Sequence, residues 1–398
     1  MGRMKELFLE MLERGYGEVP EKNVCQNCFS DEGLIELITN EGQKGKCSYC
    51  QSSSKTVLPL ERVISHIMES LSLEWVEAAD SGTPYETREG GYQGPIIDTY
   101  DLIHEIEPIG CENEDLFNDI NEVIDNNLWA RPFSMPFKES PIQEDWDVLV
   151  DSIKHRIRFL TFHESANITI CKDNSWSYSD PRTAISKAIE RLNLVCILSQ
   201  KTPIYRARFS EKDCDFNSAS NMGTVPHKFA KQANRMSPVG IPMFYGALEP
   251  ETAKSELDIH RSGVIHYGKF YPSRSLVLID FTRKNSIPSI YSSDRYLRSD
   301  IRLMNGFIKD FSKPIKRDGS EHIEYIPTQV ITEYLKLNYT YNPVKIDGIL
   351  YNSTHNNKKA CVLFVENEMC KNSSTDSNDI PSNDSLILYL NEYRKERI

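Results

Sequence analysis

Apolar residues recur along the chain with two different periods, and the period changes near residue 200. In residues 4–14, Leu7, Phe8, Met11 and Leu12 share one helical face. Leu60, Val63, Ile64, Ile67, Met68 and Leu71 fall at i, i+3, i+4, i+7, i+8 and i+11 behind Pro59, which predicts an amphipathic helix. Residues 79–95 are rich in Gly, Ser, Thr and acid and read as a loop, and 96–128 are acidic and helical in pieces. Residues 143–163 and 181–198 read as helices, the second with a buried face of Ile185, Ala188, Ile189, Leu192, Val195 and Cys196. Beyond residue 200 short apolar or alternating runs predict strands at 204–209, 243–247, 264–270, 276–281, 348–351 and 360–365. Helices are expected between them at 250–260 and 326–337, the latter opening on Ile326-Pro327. Residues 371–384 read as a Ser/Asn/Asp-rich link and 386–390 as a last strand. The fold class expected is α+β, a helical N-terminal half followed by a mixed β/α domain. The expected domains are 1–58, 59–199, 200–370 and a C-terminal 371–398.

Composition narrows the class of function. The chain has 398 residues, 39% of them hydrophobic and 26% charged, enough for two or three domains without covalent staples. Lys+Arg number 46 against 58 Asp+Glu, a net charge of -12, which argues against coating nucleic acid by charge. No run of about 18 apolar residues offers a membrane span. The first residues, Met1-Gly2-Arg3-Met4-Lys5-Glu6, lack the apolar core of a signal peptide, so a cytoplasmic protein is expected.

Ten cysteines are present. Four form two Cys-x-x-Cys pairs, Cys25/Cys28 and Cys47/Cys50, separated by eighteen residues. Two thiolates in one tight turn can face one ion, and two such turns complete a tetrahedron, so a structural zinc site is expected at Cys25, Cys28, Cys47 and Cys50. Asp31, Glu32 and Glu36 between the pairs do not suit DNA.

The second half carries an ordered series. It begins with Pro203-Ile204-Tyr205-Arg206-Ala207-Arg208 and continues through Asn234-Arg235-Met236-Ser237-Pro238 to Phe244-Tyr245-Gly246-Ala247. Glu251-Thr252-Ala253-Lys254-Ser255-Glu256, Phe281 and Asp347-Gly348-Ile349-Leu350-Tyr351-Asn352-Ser353 follow, then the run Ala360–Phe364. This series resembles the RES domain, over roughly residues 200–366. The cysteine-bearing half resembles the HEPN/RES N-terminal extension of some RES proteins. One departure is Asn352, where the family often has Pro before the Ser.

The resemblance implies an ADP-ribosyltransferase-like fold and a toxin-like enzyme that consumes NAD, cleaving the nicotinamide–ribose bond by hydrolysis or phosphorolysis. It implies Arg206, Glu256 and Ser353 as catalytic residues. Arg206, Arg235 and Tyr245 would bind substrate. Such residues suit the reaction: a carboxylate can stabilise an oxocarbenium-like cation, a guanidinium can grip a pyrophosphate, and an aromatic ring can stack on nicotinamide. No Gly-x-Gly-x-x-Gly supports a Rossmann site. The resemblance also implies a toxin–antitoxin or anti-phage setting, with an antitoxin or regulatory protein and a homo-oligomer as candidate partners. Three rival readings are carried. The enzyme could transfer ADP-ribose to a protein or nucleic acid. Arg158 and His163 match the Arg-x4-His spacing of HEPN ribonucleases, although five residues set them about 140° apart on a helix. The chain could also be a non-catalytic binding module.

Overall fold

The computed structural model describes residues 14–53, 55–132, 141–156, 181–257, 259, 261–312, 319–373 and 386–398. The helix expected over 4–14 (apart from Arg14), residues 157–163 of the next, and most of the 371–384 link lie outside the described residues. So do Arg158 and His163. The chain divides into two compact units, Met1–Pro141 with Ser286–Arg302, and Ile142–Asn285 with Leu303–Ile398. Among the described residues no helix is long and apolar enough to cross a membrane.

The first unit is built on a small antiparallel sheet of β1 (Asn23–Cys25), β2 (Gln43–Gly45) and β3 (Lys55–Pro59), in the order β1-β3-β2. Helix α1 (Glu32–Glu41) lies between the two cysteine pairs, where a knuckle alone was expected. It starts where Asp31 accepts the Leu34 N–H at 2.9 Å. Helix α2 (Leu60–Leu71) forms as the apolar spacing predicts, and its six periodic residues are buried. The 79–95 loop contains a two-residue-strand hairpin, Tyr85–Glu86 against Gly91–Tyr92. The acidic stretch is helical in pieces, with a π-turn at Leu102–Ile106 and α3 at Glu114–Val123.

The distant segment Ser286–Arg302 completes this unit. Ile290 and Tyr291 are part of its core, and a Cβ at Gly33 would stand 2.3 Å from the Ser292 nitrogen, so only glycine permits the approach. Arg298 donates to Glu74 and Glu107, both at 2.7 Å, while Arg302 grips both Glu74 oxygens at 3.0 Å. Arg131 adds a third guanidinium 3.1 Å from Glu74. Burial pushes the Glu74 carboxyl up, but Arg302 and Arg298 outweigh it and hold the group below its ordinary value. Removing one partner strands a buried charge. Glu74→Gln is therefore expected to destabilise this unit by about 3–5 kcal/mol, read as a lowered midpoint of urea unfolding.

The second unit holds a nine-stranded mixed sheet. Its strands are β4 (Val195–Leu198), β5 (Ile204–Ser210), β6 (Phe244–Ala247), β7 (Val264–Pro272), β8 (Leu276–Asp280), β9 (Gly348–Asn352), β10 (Lys359–Leu363), β11 (Cys370–Asn372) and β12 (Leu388–Arg397). Their order is β11-β12-β7-β5-β6-β10-β9-β8-β4, with β8/β9 and β11/β12 parallel and the rest antiparallel. Alternate residues of the central strands enter two different cores. Ile279, Ile349, Tyr351, Ala360 and Val362 join one; Leu278, Leu350, Cys361 and Leu363 join the other. Burial on both faces explains why these strands read as continuous apolar runs. The first core also takes residues from α4 (Pro141–His155), α5 (Pro181–Arg191), α7 (Arg298–Phe311) and α8 (Ile326–Asn338). A short helix, α6 (Pro250–Ser255), lies between β6 and β7.

Two sequence expectations are corrected. The helix read over 181–198 stops at Arg191, and Val195 and Cys196 belong to β4. Asn193 takes a left-handed φ of 48°, and the Leu194 N–H bonds back to Ile189 at 2.9 Å, a Schellman stop. The apolar spacing ran on past this stop because the strand is buried too. The helix read over 250–260 ends at Ser255, leaving Glu256 at its C-cap.

Candidate active site and metal centre

Two adjacent strands set the floor of a cavity of about 790 Å³ in the second unit. Strand β5 contributes Tyr205, Arg206 and Ala207, and β6 contributes Tyr245 and Gly246. Arg206 Nη1 donates to the Tyr245 carbonyl at 2.7 Å, and its guanidinium carbon lies 5.0 Å from the centre of the Phe244 ring. Its Nε is buried without a hydrogen-bond partner among the described residues. Burial, reinforced by nearby Arg208, pulls the Arg206 guanidinium down to about 9.

Glu256 reaches the same cavity from the C-cap of α6, and its Oε1 is likewise buried with no hydrogen-bond partner among the described residues. Arg235 enters from the loop before β6. Its Nη1 donates to the Phe311 carbonyl at 2.7 Å, and its loop is held by α8, where Thr328 donates to the Arg235 carbonyl and Gln329 to the Asn234 carbonyl. Among the described residues none of Arg206, Arg235 and Glu256 is in an ion pair. The Glu256 carboxylate favours the charged form of Arg235 without pairing with it, and Arg206 adds a second buried guanidinium to the same cavity.

Tyr245 turns its hydroxyl toward Ser237 Oγ at 3.0 Å and accepts the Met236 N–H at 3.2 Å. Burial pushes this phenol up to about 12, so it stays protonated near neutral pH. Tyr351, on β9, is buried and driven well above its ordinary value by burial first and by the Glu256 carboxylate second.

In the first unit the four paired cysteines converge. All four sulfurs lie within 4.8 Å of one another, with Cys25–Cys28 at 3.8 Å, Cys25–Cys50 at 3.5 Å and Cys28–Cys47 at 3.6 Å. A tetrahedral tetrathiolate with metal–sulfur bonds of about 2.3 Å has edges of about 3.8 Å, so this donor set could hold a metal ion. Burial raises the Cys28 thiol far above its ordinary value, with Cys47 adding to the effect.

Two known domain families match the chain. The model of HEPN/RES N-terminal domain 1 matches residues 40–167, and that of the RES domain matches residues 203–381. The chain is a RES domain protein with a HEPN/RES N-terminal domain. No curated protein and no solved structure matches it.

Four of the five RES residues singled out from the sequence, Arg206, Arg235, Tyr245 and Glu256, line the cavity together. Ser353 is not among the lining residues. It is buried, and its hydroxyl accepts the His355 N–H at 3.3 Å. Its backbone closes the turn to Lys358, and the neighbouring residues Thr354 and His355 are the ones that reach the cavity. Asp347, from the same motif, pins β9 to β8: Arg274 grips both its oxygens at 2.7 Å and Val277 N–H donates to it at 2.9 Å. Gly348 follows because a Cβ there would stand 2.1 Å from the Val362 carbonyl oxygen.

Sequence reasoning did not assign Phe229, Lys231, Tyr325, Tyr351, Thr354 or His355 to the site, and all six line it. Tyr351 had a signal, since it lies in the quoted RES motif on the strand before Ser353. The others stand on loops whose path only the tertiary fold sets.

Proposed function

We propose that the RES cavity binds NAD and cleaves its nicotinamide–ribose bond, with water or inorganic phosphate as acceptor. The observation that carries the reading is the pair of buried, unpartnered atoms, Arg206 Nε and Glu256 Oε1, in one cavity within the about 300–1,000 Å³ range of small-molecule sites. Membership of the RES family supplies the substrate, and the charges suit it. NAD carries a pyrophosphate for a guanidinium and a cationic nicotinamide ring joined to ribose.

In the reaction the bond between ribose C1 and the ring nitrogen breaks. Its electron pair leaves with nicotinamide, which departs neutral, and positive charge develops on the ribose. In this reading Glu256 lies where it stabilises that charge or holds the ribose hydroxyls. Arg206 and Arg235 neutralise the pyrophosphate, and Tyr245 packs on the nicotinamide. Ser353 supports the turn that presents Thr354 and His355. Water as acceptor yields ADP-ribose and a proton; phosphate yields the ADP-ribose phosphate ester.

The same reading makes the nine-stranded sheet an ADP-ribosyltransferase-like fold, and the four-cysteine cluster a structural zinc site. It also places the enzyme in a toxin–antitoxin or anti-phage setting, where the N-terminal unit restrains activity. The test is incubation of the full chain with NAD, with and without phosphate, with products read by mass. Nicotinamide with ADP-ribose or its phosphate is expected. NAD left intact would overturn the cleavage itself, and ADP-ribose found only on a macromolecule would overturn the proposed acceptor class.

A further inference from the structure

One wall of the cavity is unlike the rest. Phe229 lines it with 61% of its surface exposed, whereas Phe244, Phe270, Phe281, Phe307 and Phe311 of the same unit are buried. The ring stands on a built support. Phe229 closes a 3-10 turn begun at His227, with its N–H bonded to the Pro226 carbonyl at 2.9 Å. Ala230 N–H bonds to His227 at 3.0 Å, and Gly240 N–H bonds to Ala230 at 2.9 Å, tying both arms of the loop together. Lys228 Nζ lies 5.0 Å from the centre of the ring, and Lys231 and Gln232 flank it on the cavity wall.

An aromatic ring left open in a cavity, with a cation on it and a second cation beside it, suits a flat, electron-rich heterocycle joined to phosphate. Arg206, Tyr245, Glu256 and Tyr351 line the same cavity from β5, β6, the C-cap of α6 and β9, and Arg235 lines it from the loop before β6. A dinucleotide has two bases, and in the function proposed above Glu256 and Tyr245 serve the nicotinamide–ribose end and the two arginines the pyrophosphate, which leaves the second base to be placed.

Resting on that reading, we infer that Phe229 is a stacking platform for the second base, a purine, with Lys231 placed for the adjoining phosphate. Phe229 is thus a specificity-determining residue, which makes the enzyme select dinucleotides over the mononucleotide half.

The test uses the full chain and two probes: ADP-ribose, which carries the purine, and nicotinamide mononucleotide, which lacks it. Binding is measured by calorimetry for wild type and Phe229→Ala, with melting curves to show that both are folded. Stacking of one base is worth about 1–3 kcal/mol, so Phe229→Ala is expected to weaken ADP-ribose about tenfold. The loss for nicotinamide mononucleotide should be several times smaller. Phe229→Trp should retain affinity, and its new indole fluorescence should change on titration with ADP-ribose. Wild-type binding of ADP-ribose that Phe229→Ala leaves intact, or equal losses on both probes, would overturn the platform alone. Wild type that binds neither probe would overturn the NAD reading and the platform with it.

Discussion

Replacing Glu256 with Gln is expected to slow nicotinamide release from NAD by about a hundred- to a thousandfold, the usual cost of removing one preorganised electrostatic stabiliser. Glutamine matches the shape and keeps the packing at the end of α6, so only the charge is lost. Glu256 Oε1 has no hydrogen-bond partner among the described residues, so no structural bond is broken either. The effect should appear in kcat more than in KM, because the charge is needed most as the ribose becomes cationic. Single-turnover mass analysis of nicotinamide checks it. A variant as fast as wild type would remove Glu256 from the chemistry, while an equal rise in KM with unchanged kcat would make it a binding residue.

The second large effect is expected from the metal centre. Cys28→Ser, or exhaustive chelation, should cost the N-terminal unit several kcal/mol, out of the about 10–16 kcal/mol that structural zinc contributes in small peptides. The unit has its own apolar core around Leu34, Ile38, Leu60 and Ile64, so a loosened state rather than a fully unfolded chain is the expected result. The two turns that carry the cysteines also anchor β1 and the loop before β3, because Cys47 N–H bonds to Ser52 and Ser48 N–H to Asn23. Metal content by mass spectrometry should be one ion per chain in wild type and fall sharply in Cys28→Ser. Hydrogen exchange should rise first in β1 to β3. Unchanged protection after the metal is stripped would make the cluster dispensable for the fold.

These two sites differ in how far the sequence alone reveals them. The four-cysteine cluster is legible because its information is local. Each Cys-x-x-Cys needs only one turn to aim two sulfurs, and the remaining task is to bring two turns together. Helix α2 and the central strands are legible for the same reason, since periodicity reports burial on one face or both. The RES series singled out Arg206, Arg235, Tyr245 and Glu256, and these four line one cavity. Local patterns fail where a strand and a helix share one apolar run. Val195 and Cys196 continued the spacing of α5, and only the left-handed turn at Asn193 separates them.

What only the tertiary structure decided is who stands beside whom. Ser353 is two residues from His355, yet the first is buried in the turn and the second lines the cavity, because the turn to Lys358 reverses the chain between them. Ser286–Arg302 sits in the middle of the RES match, but its side chains belong to the N-terminal core, where Arg298 meets Glu74 and Glu107 across about two hundred residues of sequence. The sequence by itself determined the local elements, the thiolate pairs and the family, because each is written in short-range spacing. The cavity wall carrying Phe229, the ion cluster around Glu74 and the buried Arg206 Nε and Glu256 Oε1, which have no hydrogen-bond partner among the described residues, depended on long-range packing. No spacing along one chain records which distant groups burial will leave without a partner.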